Sequence, residues 1–208
     1  MSSGARLIHG LVWGLLALVV VSVAGVFGLT LLHPHPTPLP VFGDVADFKL
    51  TNQLGAAISL AELKGHVWVA DVIFTRCPGP CAGMTRKMKA IQERLPANSS
   101  VKLVSLTADP AFDAPPVLDA YATRFKADQR NWSFLTGPKQ AIYDLAIKSL
   151  KLAVQENTTT NVDEMFIHST RLVVVDRMGQ LRAVGRDGSD RETVSDVVQA
   201  VNQLLSER

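Results

Sequence analysis

The sequence predicts an α/β fold, a mixed sheet flanked by helices, preceded by one N-terminal transmembrane helix. Three observations lead there. The first thirty or so residues are apolar and nearly uncharged, whereas the rest has an ordinary globular composition. Beyond them, β-branched runs bounded by Gly or Pro alternate with segments of helical spacing. The last two apolar runs are separated by only a short turn, which adds antiparallel pairing to a sheet otherwise built by crossovers.

From Leu7 to Leu32 the chain reads LIHGLVWGLLALVVVSVAGVFGLTLL, 26 residues without Asp, Glu, Lys or Arg. About 20 such residues cross a bilayer core. A cleaved signal peptide would have a shorter apolar region, roughly 7 to 15 residues, ending in a small-residue cleavage site. No such site is evident, so the expectation is an uncleaved anchor over residues 7–32. Arg6 is the only basic side chain before it. The positive-inside tendency then leaves residues 1–6 cytoplasmic and the domain across the membrane. In a bacterium this is a single-pass inner-membrane protein with a periplasmic C-terminal domain; a mitochondrial setting is less favoured, because no Arg/Ser-rich transit segment precedes the span.

Residues 33–40, HPHPTPLP, hold four prolines in eight and are expected to form an extended spacer. His33 and His35 within it have the chemistry to catch a metal, but no third ligand is nearby, and the simpler reading is a polar linker. The remaining residues, 41–208, suffice for one domain with one core. The chain carries 21 basic and 19 acidic residues, a net charge of +2, with no block of like charge, so nucleic-acid binding has no electrostatic support.

Within the domain, Val67 to Phe74, Val101 to Leu106, Leu172 to Val175 and Leu181 to Val184 read as strands, the last two joined by a turn at Met178 and Gly179. Met84 to Leu95, Pro116 to Phe125, Lys139 to Leu150 and Glu192 to Leu205 have helical spacing. The polar stretch Gln155 to Asp163 reads as a surface loop just before His168.

Only two cysteines are present, so their role is chemical rather than that of a disulfide scaffold. The run DVIFTRCPGPCAGMTRKM sets a buried strand, a Pro/Gly loop and a helix in series, with Cys77 and Cys81 at the strand-to-helix junction. Backbone N–H groups at a helix start stabilise a thiolate. At i and i+4 the sulfurs can converge on a soft metal such as Cu(I) or Zn, or pair as a disulfide. Two sulfurs underfill a metal site, and of five histidines only His66 and His168 lie in the domain. His66 stands at a strand entrance, remote from the cysteines. His168 directly precedes a strand expected beside the cysteine strand, and is the candidate third ligand, a satisfied structural histidine being the alternative.

These residues resemble the Sco/SenC family, thioredoxin-like copper proteins associated with assembly of the copper A centre of cytochrome c oxidase. The resemblance spans nearly the whole domain, through DFKLTNQLG, LAELKGHVWV, FTRCPGPC, LVSLTADPAFDAPPVLDAYATRF, WSFLTGP and FIHSTRLVVVDRMG in order. It implies a thioredoxin-like sheet in which Cys77, Cys81 and His168 bind one copper ion per chain. The function implied is a metallochaperone delivering copper to the copper-bearing oxidase subunit, served by a copper donor and a periplasmic thiol reductant. A membrane-anchored thiol-disulfide oxidoreductase that reduces the oxidase cysteines before metal loading is the alternative. A peroxiredoxin-like peroxidase fits the fold, but the sequence offers no separate peroxidatic constellation.

One departure is Ala82, where the family often has proline after its second cysteine. Asp71, acidic in an apolar strand, is expected to face solvent at a strand end, the other reading being that it tunes the site. Asp109 and Asp113 match the family pattern and read most simply as cap and turn residues, or else shape the site. Met84 and Met88, four apart, fit core packing better than metal binding. Met165, three residues before His168, is a weaker candidate soft ligand.

Overall fold

The computed structural model describes residues 3–32, 37–95, 100–159, 161, 165–185 and 189–207. They form two compact units, Met1–Thr37 and Pro38–Arg208. The first is helix α1, Ser3–Leu32, within which Ile8–Gly28 is long and apolar enough to cross a membrane. His33 and His35 lie outside the described residues.

The second unit is built on strand β4, Trp68–Ile73, all six residues of which are buried. Complete burial requires a strand flanked on both edges and covered on both faces. Its parallel neighbour is β5, Lys102–Thr107, which pairs in turn with β6, Trp132–Thr136, again parallel. On its other edge lies β9, Val173–Val175, antiparallel, followed by β10, Gln180–Val184. The turn between them places Gly179 at φ +84, a conformation glycine adopts without steric cost, while Asp176 Oδ1 accepts from the N–H groups of Met178 and Gln180.

Strands β1 (Gly43–Asp44), β2 (Lys49–Asn52) and β3 (Ala57–Ser59) complete an eight-stranded sheet of order β1-β10-β9-β4-β5-β6-β2-β3. These three, β6 and the short helix α2 (Leu60–Leu63) are additions to the elements read from the sequence. A separate two-stranded sheet pairs β7, Val154–Glu156, with β8, Phe166–His168. The stretch expected as loop from Gln155 therefore begins as strand, because its partner lies beyond the local window.

Helix α3 (Pro80–Arg94) joins β4 to β5 and α4 (Pro115–Arg124) joins β5 to β6. Both crossovers step the same way across the sheet, so right-handed connections put both helices on one face. Thr85 of α3 and Tyr121 of α4 accordingly meet, with oxygens 2.8 Å apart. Helix α5, Lys139–Asp144, continues as a π-helical turn over Leu145–Ser149, which brings Ser149 Oγ to the Ala46 N–H. Helix α6, Asp190–Ser206, starts in a capping box of Ser189 and Glu192 and packs on α3, β9 and β10.

The chain enters this unit through a clamp. Arg182 donates to the Leu39 carbonyl at 2.8 Å, to Asp176 at 2.6 Å and to Glu207 at 2.9 Å. Arg182 and Asp176 are both largely buried, so removing one partner strands a charge, which costs about 3 to 5 kcal/mol. We expect Arg182→Ala to lower the unfolding free energy in urea by about 3 kcal/mol; a loss typical of a surface pair, below about 1 kcal/mol, would contradict the clamp.

Candidate metal centre

At the end of β4 the chain turns through residues 74–79 into α3. Pro80 occupies the first helical position, where its missing N–H costs nothing and its fixed φ suits the helix. That places a rigid ring one residue before Cys81, so Ala82 does not leave the first turn without one. Cys81 is therefore in the first turn and Cys77 in the loop before it. The Cys81 N–H, one of the unpaired amides of a helix start, points at Cys77 Sγ at 3.5 Å, and the Phe74 N–H points at Cys81 Sγ at 3.5 Å. Below, Thr85 Oγ1 donates to the Cys81 carbonyl at 2.9 Å.

His168 comes to this junction on β8. Its Nε2 lies 3.1 Å from Cys81 Sγ and its Nδ1 lies 3.1 Å from the Ser169 carbonyl. A carbonyl only accepts, so in the neutral ring Nδ1 holds the proton and Nε2 turns its lone pair to the sulfurs. The edge of the ring meets Phe74 at 5.8 Å between centroids. The Cys77, Cys81 and His168 ligand atoms all lie within 4.8 Å of one another, the one such group of His, Cys, Asp or Glu side chains among the described residues. Two sulfurs and an imidazole are a soft set suited to Cu(I) or Zn rather than to Mg or Ca.

The cysteines are not equivalent. Cys77 is half-buried and Cys81 buried. The Cys77 thiol is lowered to about 4, chiefly by its hydrogen bond with Cys81, against the opposing effect of burial and with help from His168 and the Cys81 and Gly79 backbone. The Cys81 thiol is pushed up, by the same pairing and then by burial. A hollow of about 540 Å³, lined by Cys77, Pro78, Pro80, Phe166, Ile167 and His168 among others, opens over the group.

The other candidates divide cleanly. His66 bonds the Ser100 carbonyl through Nδ1 at 2.7 Å, at the far end of β4. Met84 and Met88 are core residues, 2% and 0% exposed. The sulfur of Met165 accepts from Arg76 Nη2 at 3.6 Å. Asp113, fully buried, caps no helix: its carboxylate takes the Thr75 N–H and the hydroxyls of Thr75 and Thr107, so it pins the cysteine loop. Asp109 pairs with Arg76 at 2.5 Å and does the same. Thr75, Arg76, Thr85 and Tyr121 carry no local signal that separates them from ordinary loop and helix residues.

Asp71 overturns its solvent-facing expectation. It is 0% exposed in mid-strand, with neither carboxylate oxygen hydrogen-bonded among the described residues. Burial raises its pKa to about 7, against weaker opposing pulls from Ser105, its neighbour in register on β5, and from His168.

Between the ordinary value of 3.8 and about 7, the folded state holds a proton that the unfolded state has lost, so stability falls as pH rises through that window and levels off above it. In thermal melts, Asp71→Asn is expected to exceed the parent by several degrees at pH 8, the difference closing towards pH 4. A gap independent of pH would refute the burial argument.

A family model described as SCO1/SenC matches residues 43–203. A SCO1 protein homolog of Bacillus subtilis (strain 168) is 36% identical over 144 residues, 68% of this chain and 73% of the relative. Among solved structures, BsSco, described as a member of the Sco family of cytochrome c oxidase assembly proteins with a disulfide switch, superposes with a TM-score of 0.70 at 29% identity. The match covers 83% of this chain and all of that one. Bradyrhizobium japonicum ScoI, solved with copper bound, shares the fold with a TM-score of 0.57 at 21% identity, over 76% of this chain and 99% of that one.

Proposed function

The chain belongs to the SCO1/SenC family, and from that premise we propose that it is a copper metallochaperone. It takes one copper ion on Cys77, Cys81 and His168 and delivers it to the copper A centre of cytochrome c oxidase. The observation that carries this reading is the convergence of the three soft ligand atoms within 4.8 Å. BsSco's description as an oxidase assembly protein and the copper in the Bradyrhizobium relative support it.

Copper is the cargo. Cys77, half-exposed and acidic, supplies a ready thiolate at the mouth of the hollow. Cys81 gives up its proton when metal binds, so loading is linked to proton release. Three donors under an open hollow leave room for ligands of an acceptor to enter. Residues 7–32 anchor the protein in a bacterial inner membrane, with residues 1–6 cytoplasmic, 33–40 a spacer and 41–208 a periplasmic domain. Its partners are the copper-bearing oxidase subunit, a copper donor and a thiol reductant.

The asymmetry of the two thiols also favours a second reading, reduction of disulfides on the oxidase subunit. The Cys77 thiolate attacks the partner disulfide to form a mixed disulfide, expelling one partner thiolate. Cys81 then loses its proton and attacks Cys77 Sγ, freeing the second partner sulfur. Two electrons pass to the partner, Cys77 and Cys81 end as a disulfide, and a thiol reductant must reset them.

Titration of the reduced full chain in detergent with Cu(I), against a competing chelator, tests the first reading. One equivalent should bind, weakened by at least about tenfold in His168→Ala and lost in Cys77→Ser. Binding indifferent to His168, together with disulfide exchange that survives His168→Ala but not Cys81→Ser, would replace the chaperone reading with the reductase.

A further inference from the structure

We infer that Arg76 is a positioning residue for the three-ligand group: its guanidinium ties the cysteine loop to the arm that carries His168 and so sets how the imidazole meets the sulfurs. This rests on the ligand assignment proposed above. Arg76 directly precedes Cys77 where the chain leaves β4. An arginine in a surface loop ordinarily extends into water. Here its side chain is only 34% exposed. Nη2 donates to Asp109 Oδ2 at 2.5 Å and to Met165 Sδ at 3.6 Å, and the guanidinium carbon lies 4.1 Å from the centre of the Phe112 ring.

The buried Nε–H has no acceptor among the described residues. An unconstrained guanidinium presents two N–H groups side by side to a carboxylate. Arg76 instead meets Asp109 end-on, which lets the same nitrogen reach the thioether.

One end of this link is fixed. The Asp109 N–H donates to Thr107 Oγ1 at 2.9 Å, and its carbonyl accepts from Phe112 and Asp113 in the turn that presents the Phe112 ring. The other end is the β7–β8 arm. Met165 stands three residues before His168, and its carbonyl accepts the Asn157 N–H at 2.8 Å as the arm closes. The arm belongs to a sheet of its own. Phe166 rests on Phe74 at 5.0 Å, and a Lys139–Glu156 ion pair lies at the exposed edge, where such pairs contribute little. Arg76 supplies a polar tie from the cysteine loop to this arm at Met165, in addition to the contact of His168 itself with Cys81.

The test uses the reduced full chain in detergent, with Cu(I) competition and two mild variants. Arg76→Lys keeps a cation beside Asp109 but is a point donor without the flat fork; Met165→Leu removes the sulfur acceptor at similar size. Each should weaken Cu(I) binding by about tenfold, the low end of what orienting partners contribute to metal sites. In a His168→Ala background the same changes should alter affinity by less than about twofold, as expected when the coupled partner is gone.

Equal losses in both backgrounds, or full affinity in Met165→Leu, would overturn the inference, because a residue that only stabilises the fold acts regardless of His168. Amide hydrogen exchange over residues 165–168 in the metal-free protein reads the same link without copper. It should quicken in Arg76→Lys. If the parent fails to bind Cu(I), the ligand assignment falls, and unchanged exchange would then separately overturn the role of Arg76.

Discussion

Burial of all six residues of β4 obliges the chain to leave the sheet at one place and in one direction, and the rest of the site follows from that. With Phe74 buried behind it, the next residues cannot slide, so the turn into α3 has a fixed start. Pro80 fixes its end. Between these two points only a few residues remain, and two of their neighbours, Asp109 and Asp113, hold them from the β5–α4 turn. The sulfurs meet because the backbone on both sides of them has no freedom left to keep them apart.

The same rigidity makes two identical side chains chemically different. Cys77 faces the hollow and is held acidic chiefly by its hydrogen bond with Cys81, with help from nearby amides; Cys81 is enclosed and is held neutral by its own neighbour. A pair with one charged and one neutral member suits both metal capture and disulfide exchange, which is why the two functional readings share every sulfur contact and part only at His168. The metal reading needs that imidazole; the redox reading does not.

What was legible in the sequence was whatever depends on near neighbours. The β4 and β5 runs, the hairpin turn at Gly179 and helices α3, α4 and α6 are written in local periodicity, and the cysteines are written in their spacing. The β7 strand was not, because Val-Gln-Glu becomes strand only against Phe166–His168. Lys139 to Leu150 reads as one helix, yet its second half widens to a π turn that serves Ser149 and Ala46, a contact a hundred residues long-range. Asp71 misled for a related reason: a lone acid in an apolar run signals an exposed face only if one face is exposed, and β4 has none. Arg76 reads like any loop arginine until the structure brings Asp109, Phe112 and Met165 around it.

The clamp at Leu39 has a mechanical meaning. Arg182 and Glu207 grip the entering chain, and the Phe42 and Val45 N–H groups bond the Leu181 and Gly179 carbonyls at 2.8 Å. Tension on the chain at Leu39 is thus carried first in shear by the edge strand β1 against its neighbour β10, and by the C-terminal tail. The loop that holds the sulfurs lies off that load path, tied instead to the β5–α4 turn through Asp109 and Asp113, so a pull at Leu39 does not load it first.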